Sequence, residues 1–388
     1  MNLSESLAHL KSKLDKIDVV DSTLVEAKGH LDHPEDLIFL GGSQGATRAV
    51  NAILTTVKDP KAITIKWDGY PALIFGRGPN GKFSIMDKHM FNKKDGSGRQ
   101  VYSPEQFVQY DQARGVDRTG LHQLIAEIWP GLEKSDRSKG YYWGDLLFSQ
   151  PLKPSGDGLY HFKANPNGIE YTVDPKSEIG KELSGKTAGI VVHQFIPPTA
   201  MSTDEATPLN GTLGSLTNNS NVAIVPAKMP ITPKLKIDPS LVKDAQSAIA
   251  KYGSAVDELM NTAPQAASAF QTLFTTYINK RIVSKNLKDL YIGFMEYFDS
   301  RPMTDSMRAK LSQHLEQNKD GVVGAFAIWV ALYNLKMAVV QQLNKAAETA
   351  PVQGYLQDGT RTQEGFVSQG LKFVDRMGFS AQNLAGRT

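Results

Sequence analysis

The chain contains no cysteine, which excludes disulfides, thiolate metal sites and a cysteine nucleophile. Its eight histidines fall at no metal-ligand spacing, so no zinc site is expected. Long apolar runs are missing as well. The most apolar stretch, Val322 to Leu335, is too short to cross a bilayer before Lys336 interrupts it. Met1 to Asp18 is a charged amphipathic segment and not a signal peptide. There is neither an internal repeat nor a low-complexity tail. No sign of charge dominates: 43 Lys and Arg against 40 Asp and Glu leave a net charge of +3. That balance permits contact with nucleic acid without arguing for it. The expectation is a soluble, cytoplasmic, monomeric protein without a membrane partner. At 388 residues it is long enough for two domains, or for one large domain with an insertion.

What is present is a change of grammar along the chain. Leu3, Leu7, Leu10, Leu14 and Ile17 share one face of a predicted helix over Asn2 to Ile17. Gly41-Gly42-Ser43-Gln44-Gly45 precedes a second helix, from Ala46 to about Val57. The glycines read as a turn, or as a cradle of backbone N–H groups for phosphate; the Gly-Lys-Ser/Thr ending of a P-loop is missing. From Ile63 to Val225 short apolar runs alternate with Asp-Gly, Asn-Gly and Pro-rich turns, the pattern of strands. A basic loop (Lys88 to Arg99), two helices (Ser103 to Tyr110, Leu121 to Trp129) and a long surface loop (Thr199 to Asn221) interrupt them. Pro239 to about Ala350 is helical throughout, with Ala325 to Leu343 as the central helix of a bundle. Strands return after Pro351. A closing hairpin of that size does not fold alone, so it is expected to rejoin the earlier sheet. The expected class is therefore α+β, with a core in two parts, residues 1–235 and 353–388, around a helical insertion at 236–352.

One residue is out of keeping with its strand. Lys66 lies between Ile65 and Trp67, in a segment fit for burial, where lysine is rare unless paired or functional. A lysine amine is nucleophilic only when neutral, and desolvation or a neighbouring cation favours that form.

Five segments follow in order: Lys66-Trp67-Asp68-Gly69, Trp143-Gly144-Asp145-Leu146, Ile190 to Phe195, Glu364-Gly365-Phe366-Val367 and Leu371-Lys372-Phe373-Val374. In this the chain resembles the covalent nucleotidyltransferase superfamily of ATP-dependent RNA and DNA ligases and mRNA capping enzymes. It is also similar over most of its length to an uncharacterised family of tailed-phage proteins, which would place it in a host cytoplasm. The resemblance implies a ligase-type nucleotidyltransferase fold, with ATP-grasp-like antiparallel sheets flanked by helices and a large all-helical insertion. It implies ATP and Mg²⁺ as cofactors and a nucleic-acid partner, RNA in preference to DNA. Lys66 would be adenylated, AMP would pass to a 5′-phosphate, and that end would be sealed to a 3′-hydroxyl.

The same resemblance assigns roles. Lys372 and Lys88 would neutralise the phosphates. Asp145 and Glu364 would bind ribose or hold Mg²⁺. Ile65, Trp67, Asp68 and Gly69 would form the nucleotide-facing turn, and His193 or Phe195 would stack on adenine. Three positions depart from the pattern. Pro71 stands where the family carries arginine, so that Arg77 or Lys88 must substitute. Asp145 is one methylene shorter than the usual glutamate, and Gly370 stands where a partner lysine often sits. These departures leave room for a scaffold that binds nucleic acid or protein without turnover, or for AMP transfer to another acceptor. In the helical block, Lys280, Arg281, Lys285 and Lys288 read as a track for a nucleic-acid backbone or as a solvated helix face.

Overall fold

The computed structural model describes residues 31–67, 69–163, 168–218, 221–228, 232–261, 267–356, 359–362 and 365–378. The helix expected over Asn2 to Ile17, together with Asp68 and Glu364, lies outside them. Helix α1 (Leu37–Lys58) is followed by strands β1 (Thr64–Ile65), β2 (Ala72–Arg77) and β3 (Phe83–Met86), then by α2 (Lys88–Phe91), α3 (Pro104–Ala113) and α4 (Thr119–Ser135). Next come β4 (Gly140–Phe148), the hairpin β5 (Tyr160–Lys163) and β6 (Glu170–Val173), α5 (Glu178–Leu183), β7 (Ala188–Ile196), β8 (Thr207–Pro208) and β9 (Val222–Pro226). The helical block comprises α6 (Pro239–Asn261), α7 (Ala267–Val283), α8 (Leu290–Ser300), α9 (Asp305–Gln317) and α10 (Lys319–Ala347). Strands β10 (Val352–Tyr355), β11 (Arg361–Thr362), β12 (Phe366–Ser368) and β13 (Leu371–Phe373) close the chain. The protein is α+β. Its named strands pair antiparallel except β9, which lies parallel to β7.

The largest sheet runs β3-β2-β4-β7-β8, with β9 also paired to β7. It separates two cores. Val222 and Ile224 face one and Ala223 and Val225 the other, while Ile190 and Val192 oppose Val191 in the same way. Both faces are covered, so these strands read as continuous apolar runs without polar alternation. One core is closed by α3 and α4 through Phe107, Ile125, Ile128 and Trp129. Ser103 caps α3 by accepting from the Gln106 N–H, with Pro104 in the first turn.

The other core runs without a break into the helical block. Phe39 of α1 stacks on Phe274 at 5.3 Å between centroids, Phe274 on Phe294 at 4.6 Å, and Phe326 closes the cluster. Removing one such ring costs about 3–5 kcal/mol. The central helix expected over Ala325 to Leu343 is α10, which runs a few residues further at each end and holds Lys336 buried within it. Its length and composition would suit a membrane span. Here Trp329, Leu332, Leu335 and Val339 are buried against neighbouring elements that include α1 and α6.

The strands after the block return to two different sheets. β10 pairs with β6, extending the β5–β6 hairpin. β12 pairs with β1, matching Thr64 with Val367 and Ile65 with Phe366, and β13 pairs with β12. The last strands of the chain thereby stand next to Lys66.

Candidate functional site

Lys66 follows directly on β1. Its N–H donates to the Gly365 carbonyl at 2.9 Å, and the Ile65 N–H donates to Ala227 at 2.9 Å. Across the small sheet Thr64 pairs with Val367, and Val367 with Lys372. Residues directly opposite one another in antiparallel strands share a face, and Thr64, Val367 and Lys372 all line one cavity. Lys66, two residues beyond Thr64, lines it too. Burial pushes the Lys372 amine below the usual lysine range; Asp32 opposes that shift and Arg376 adds to it.

The facing wall comes from the large sheet. Ala72 on β2 is matched to Asp145 on β4, and both line the cavity. Gly69 makes this approach possible, since a Cβ there would stand 2.5 Å from the Cβ of Asp145. Between β4 and β7 the register slips: Trp143 pairs with Gln194 but Gly144 with Val192, leaving His193 as the extra residue of a bulge. A bulge re-aims side chains, and here both His193 and Gln194 reach the cavity. The imidazole Nε2 of His193 lies 3.3 Å from Asp145 Oδ2.

Lys88 completes this wall, with its Nζ 5.1 Å from the centre of the Trp143 ring. It sits in the first turn of α2, which Asp87 caps by accepting from the Met90 N–H at 2.7 Å. Arg114 and Arg118 hold the other oxygen of Asp87 at 2.7 and 2.9 Å. Burial raises the Asp87 carboxyl, but the Met90 N–H and Arg114 outweigh it and keep it below the usual range.

The cavity encloses about 350 Å³, within the span of small-molecule sites. Its described lining carries three lysines (Lys66, Lys88, Lys372), one aspartate (Asp145) and one histidine (His193). Such a set attracts a compact, multiply charged anion, and the surrounding Ile65, Trp67, Trp143 and Val191 offer apolar surface to the rest of a ligand. Among the described residues no three His, Asp or Glu side chains gather as a metal site.

Not all of the other expected site residues line the cavity. Arg77 is at the far end of β2, donating to the carbonyls of Gly81, Glu133 and Asp136, so it does not stand in for the missing arginine. Phe195 packs on Tyr142 at 5.4 Å, beneath Gly140, and does not line the cavity. His193 borders the cavity, but beside Trp143 at 5.7 Å and paired with Asp145. Trp67 lines the cavity while packing its buried ring on Tyr171 at 4.9 Å. The glycine cluster does not precede a helix; Gly41 and Gly42 kink α1 from within. Asp257 of α6 accepts from the Ser43 N–H at 2.7 Å and the Ser43 hydroxyl at 2.5 Å, so a carboxylate fills the proposed phosphate cradle. Of the basic cluster, Lys280 stacks over Tyr297, and Arg281 donates to the Lys288 carbonyl at the turn between α7 and α8.

The sequence reading missed Leu31, Gln194, Pro208, Asn210 and Gly211 as lining residues. The last three fall in the expected surface loop, where Asn210 and Gly211 form a turn. Their left-handed conformations (φ 49° and 75°) follow from the Asn-Gly dipeptide, a turn signal that does not say where the turn is placed. Comparison with curated proteins gives no match, and neither does comparison with solved structures. A protein-family model matches residues 28–387, and the chain belongs to that family, described as a family of unknown function (DUF6267).

Proposed function

We propose that the protein is an ATP-dependent nucleotidyltransferase of the polynucleotide-ligase type, acting on RNA. The observation that carries this reading is the gathering of Lys66 and Lys372, from opposite ends of the chain, in one cavity with Lys88, Asp145 and His193. On this reading the fold is a ligase-type nucleotidyltransferase core and the helical block is its insertion. ATP enters with its α-phosphate against Lys66. The neutral amine attacks phosphorus; a P–N bond forms, the bond to the bridging oxygen breaks, pyrophosphate leaves, and the amine proton passes to solvent. Lys372 and Lys88 stabilise the charge that builds on the phosphate oxygens. A neighbouring cation favours the neutral form of a lysine, and Lys88 and Lys372 line the same cavity as Lys66. AMP then passes to a 5′-phosphate end, which is sealed to a 3′-hydroxyl.

Asp145, the single described carboxylate of the lining, suits a divalent cation that arrives on the triphosphate. Mg²⁺ keeps several waters and takes one or two protein carboxylates beside substrate phosphates. Asp145 would hold it, and it would neutralise charge on the pyrophosphate.

The test is incubation with α-labelled ATP and Mg²⁺, followed by denaturing gel and peptide mapping. Covalent label on the Lys66 peptide, absent in Lys66→Ala, is the expected result. An unlabelled wild type, or label that survives in Lys66→Ala, overturns the reading. The same gel with GTP separates ligase from capping chemistry.

A further inference from the structure

We propose that Arg376 is a positioning residue for Lys372, and that helices α7 and α10 act on the cavity through it. In its consequence for catalysis this rests on the function proposed above; in its geometry it does not.

Lys372 sits on β13, at the edge of a sheet whose strands are two or three residues long. So small a sheet does not hold its own register. Its outer edge is bound by the segment before α1: the Lys372 N–H donates to the Asp32 carbonyl at 2.9 Å, and Asp32 bridges Leu371. Four residues beyond Lys372 the chain is gripped again. The Arg376 guanidinium reaches Asp36 at 2.9 and 3.1 Å and Glu35 at 3.2 Å, and donates to the Asn279 side chain of α7 at 2.6 Å. Two groups of α10 complete the joint. Lys336 donates to Glu35 at 2.6 Å and the Trp329 indole to Asp36 at 2.8 Å. Glu35 and Lys336 are fully buried, Asp36 and Arg376 nearly so.

Four buried charges are a costly way to join elements, and apolar groups of the same volume often stabilise as well or better. What charges add is direction. A guanidinium between carboxylates accepts few orientations, whereas apolar contact tolerates sliding. The joint therefore sets the hairpin in one place against the helical block, and with it the Lys372 ammonium. Arg376 also acts on Lys372 by charge; among the described residues the other charged or titratable groups around that amine are Asp32, Asp36 and His33, with Lys66, Lys88, Asp145 and His193 in the same cavity.

The test is acylation of each lysine by an acetyl ester reagent, followed by peptide mass spectrometry across a pH series, beside thermal melts. Only the neutral amine reacts. In Arg376→Met the midpoint for Lys372 should move up by about one pH unit, while that for Lys88 stays in place. Arg376→Lys should return it. Asn279→Ala keeps the charge and removes the hold of α7, so Lys372 should acylate several-fold faster at fixed pH with Lys88 unchanged. If Arg376→Met does not fold, Asn279→Ala and Arg376→Lys carry the test. Lower melting temperatures with unaltered Lys372 labelling overturn the proposal, because Arg376 is then structural only. Labelling needs no ATP. A wild type that never forms the AMP adduct sinks the ligase reading and leaves this one to be judged on Lys372. If the adduct does form, its rate should fall about tenfold in Asn279→Ala.

Discussion

Two regions of this protein take charge out of bulk water, and they do so in opposite ways. The joint behind the closing hairpin sets two carboxylates, Glu35 and Asp36, against two cations, Lys336 and Arg376, and seals all four. Burial pushes the Glu35 carboxyl up, but Lys336 and Arg376 outweigh it and bring it to about 2. His33 beside them is held well below the usual imidazole range by burial and by Arg376, and so stays neutral. The cavity is unbalanced and open: three lysines to one carboxylate among the described lining residues. A balanced, sealed set of charges answers to itself. An unbalanced, accessible one is suited to a ligand, and on the function proposed above that ligand is an anion.

The comparison predicts what substitution does in each region. The largest effect belongs to the cavity: Lys66→Ala should abolish the covalent adduct altogether, measured by intact-protein mass after incubation with ATP. In the joint the readout is stability. Lys336→Met leaves Glu35 buried with less compensation and should cost about 3–5 kcal/mol by urea denaturation. The double change Glu35→Gln with Lys336→Met should recover part of that. A double variant no more stable than the single one would mean that the two groups do not act as a pair.

Asp136 sharpens the contrast, because it is buried with weaker compensation, the Ser138 N–H at 3.3 Å and Arg77 at 3.7 Å. Burial raises its carboxyl to about 6, and the Ser138 N–H and Arg77 do not restore it. A carboxyl whose folded pKa lies above its unfolded value of about 3.8 destabilises the fold once it ionises. Stability is therefore gained as pH falls from about 7 towards 4, and lost on the way back. Asp136→Asn should stabilise at pH 8 by about 2 kcal/mol and leave stability at pH 4 nearly unchanged, read from paired melts. A benefit of equal size at both pH values would show that the ionised form is not the cause. The smallest effect is again in the cavity. Lys372→Ala should weaken pyrophosphate binding about tenfold, or about 1.4 kcal/mol, seen as a reduced thermal shift, while changing the stability of the ligand-free protein little.

Strands β2, β3, β4, β7 and β9 were legible in the sequence because apolar runs bounded by Gly, Pro and Asn carry their own boundaries. The helical block was legible from its period. Lys66 drew attention for a local reason, a lysine in an apolar segment; the strand expected to carry it ends at Ile65, one residue short. The features that escaped all depend on distant partners. Glu35 and Asp36 carry no local sign of their role, since nothing nearby names Lys336 or Arg376 as their counter-charges. Lys336 read as the end of an apolar run for the same reason. The glycines at 41–45 resemble a phosphate cradle until Asp257, 214 residues away, is seen to occupy it. The bulge that turns both His193 and Gln194 towards the cavity arises from a mismatch between two strands, and neither strand records it alone.

By itself the sequence determined the local elements, their α+β class and the presence of a lysine in an apolar segment that burial alone does not explain. These follow from periodicity, turn chemistry and side-chain solvation, all short-range properties of the chain. Tertiary structure decided which charges meet. Lys66 and Lys372 share a cavity because Thr64 pairs with Val367, 303 residues on. That register is set by the burial of Ile65 and Phe366 and by the ionic joint behind them. Charges act through distance, and distance between remote parts of a chain exists only once the chain has folded.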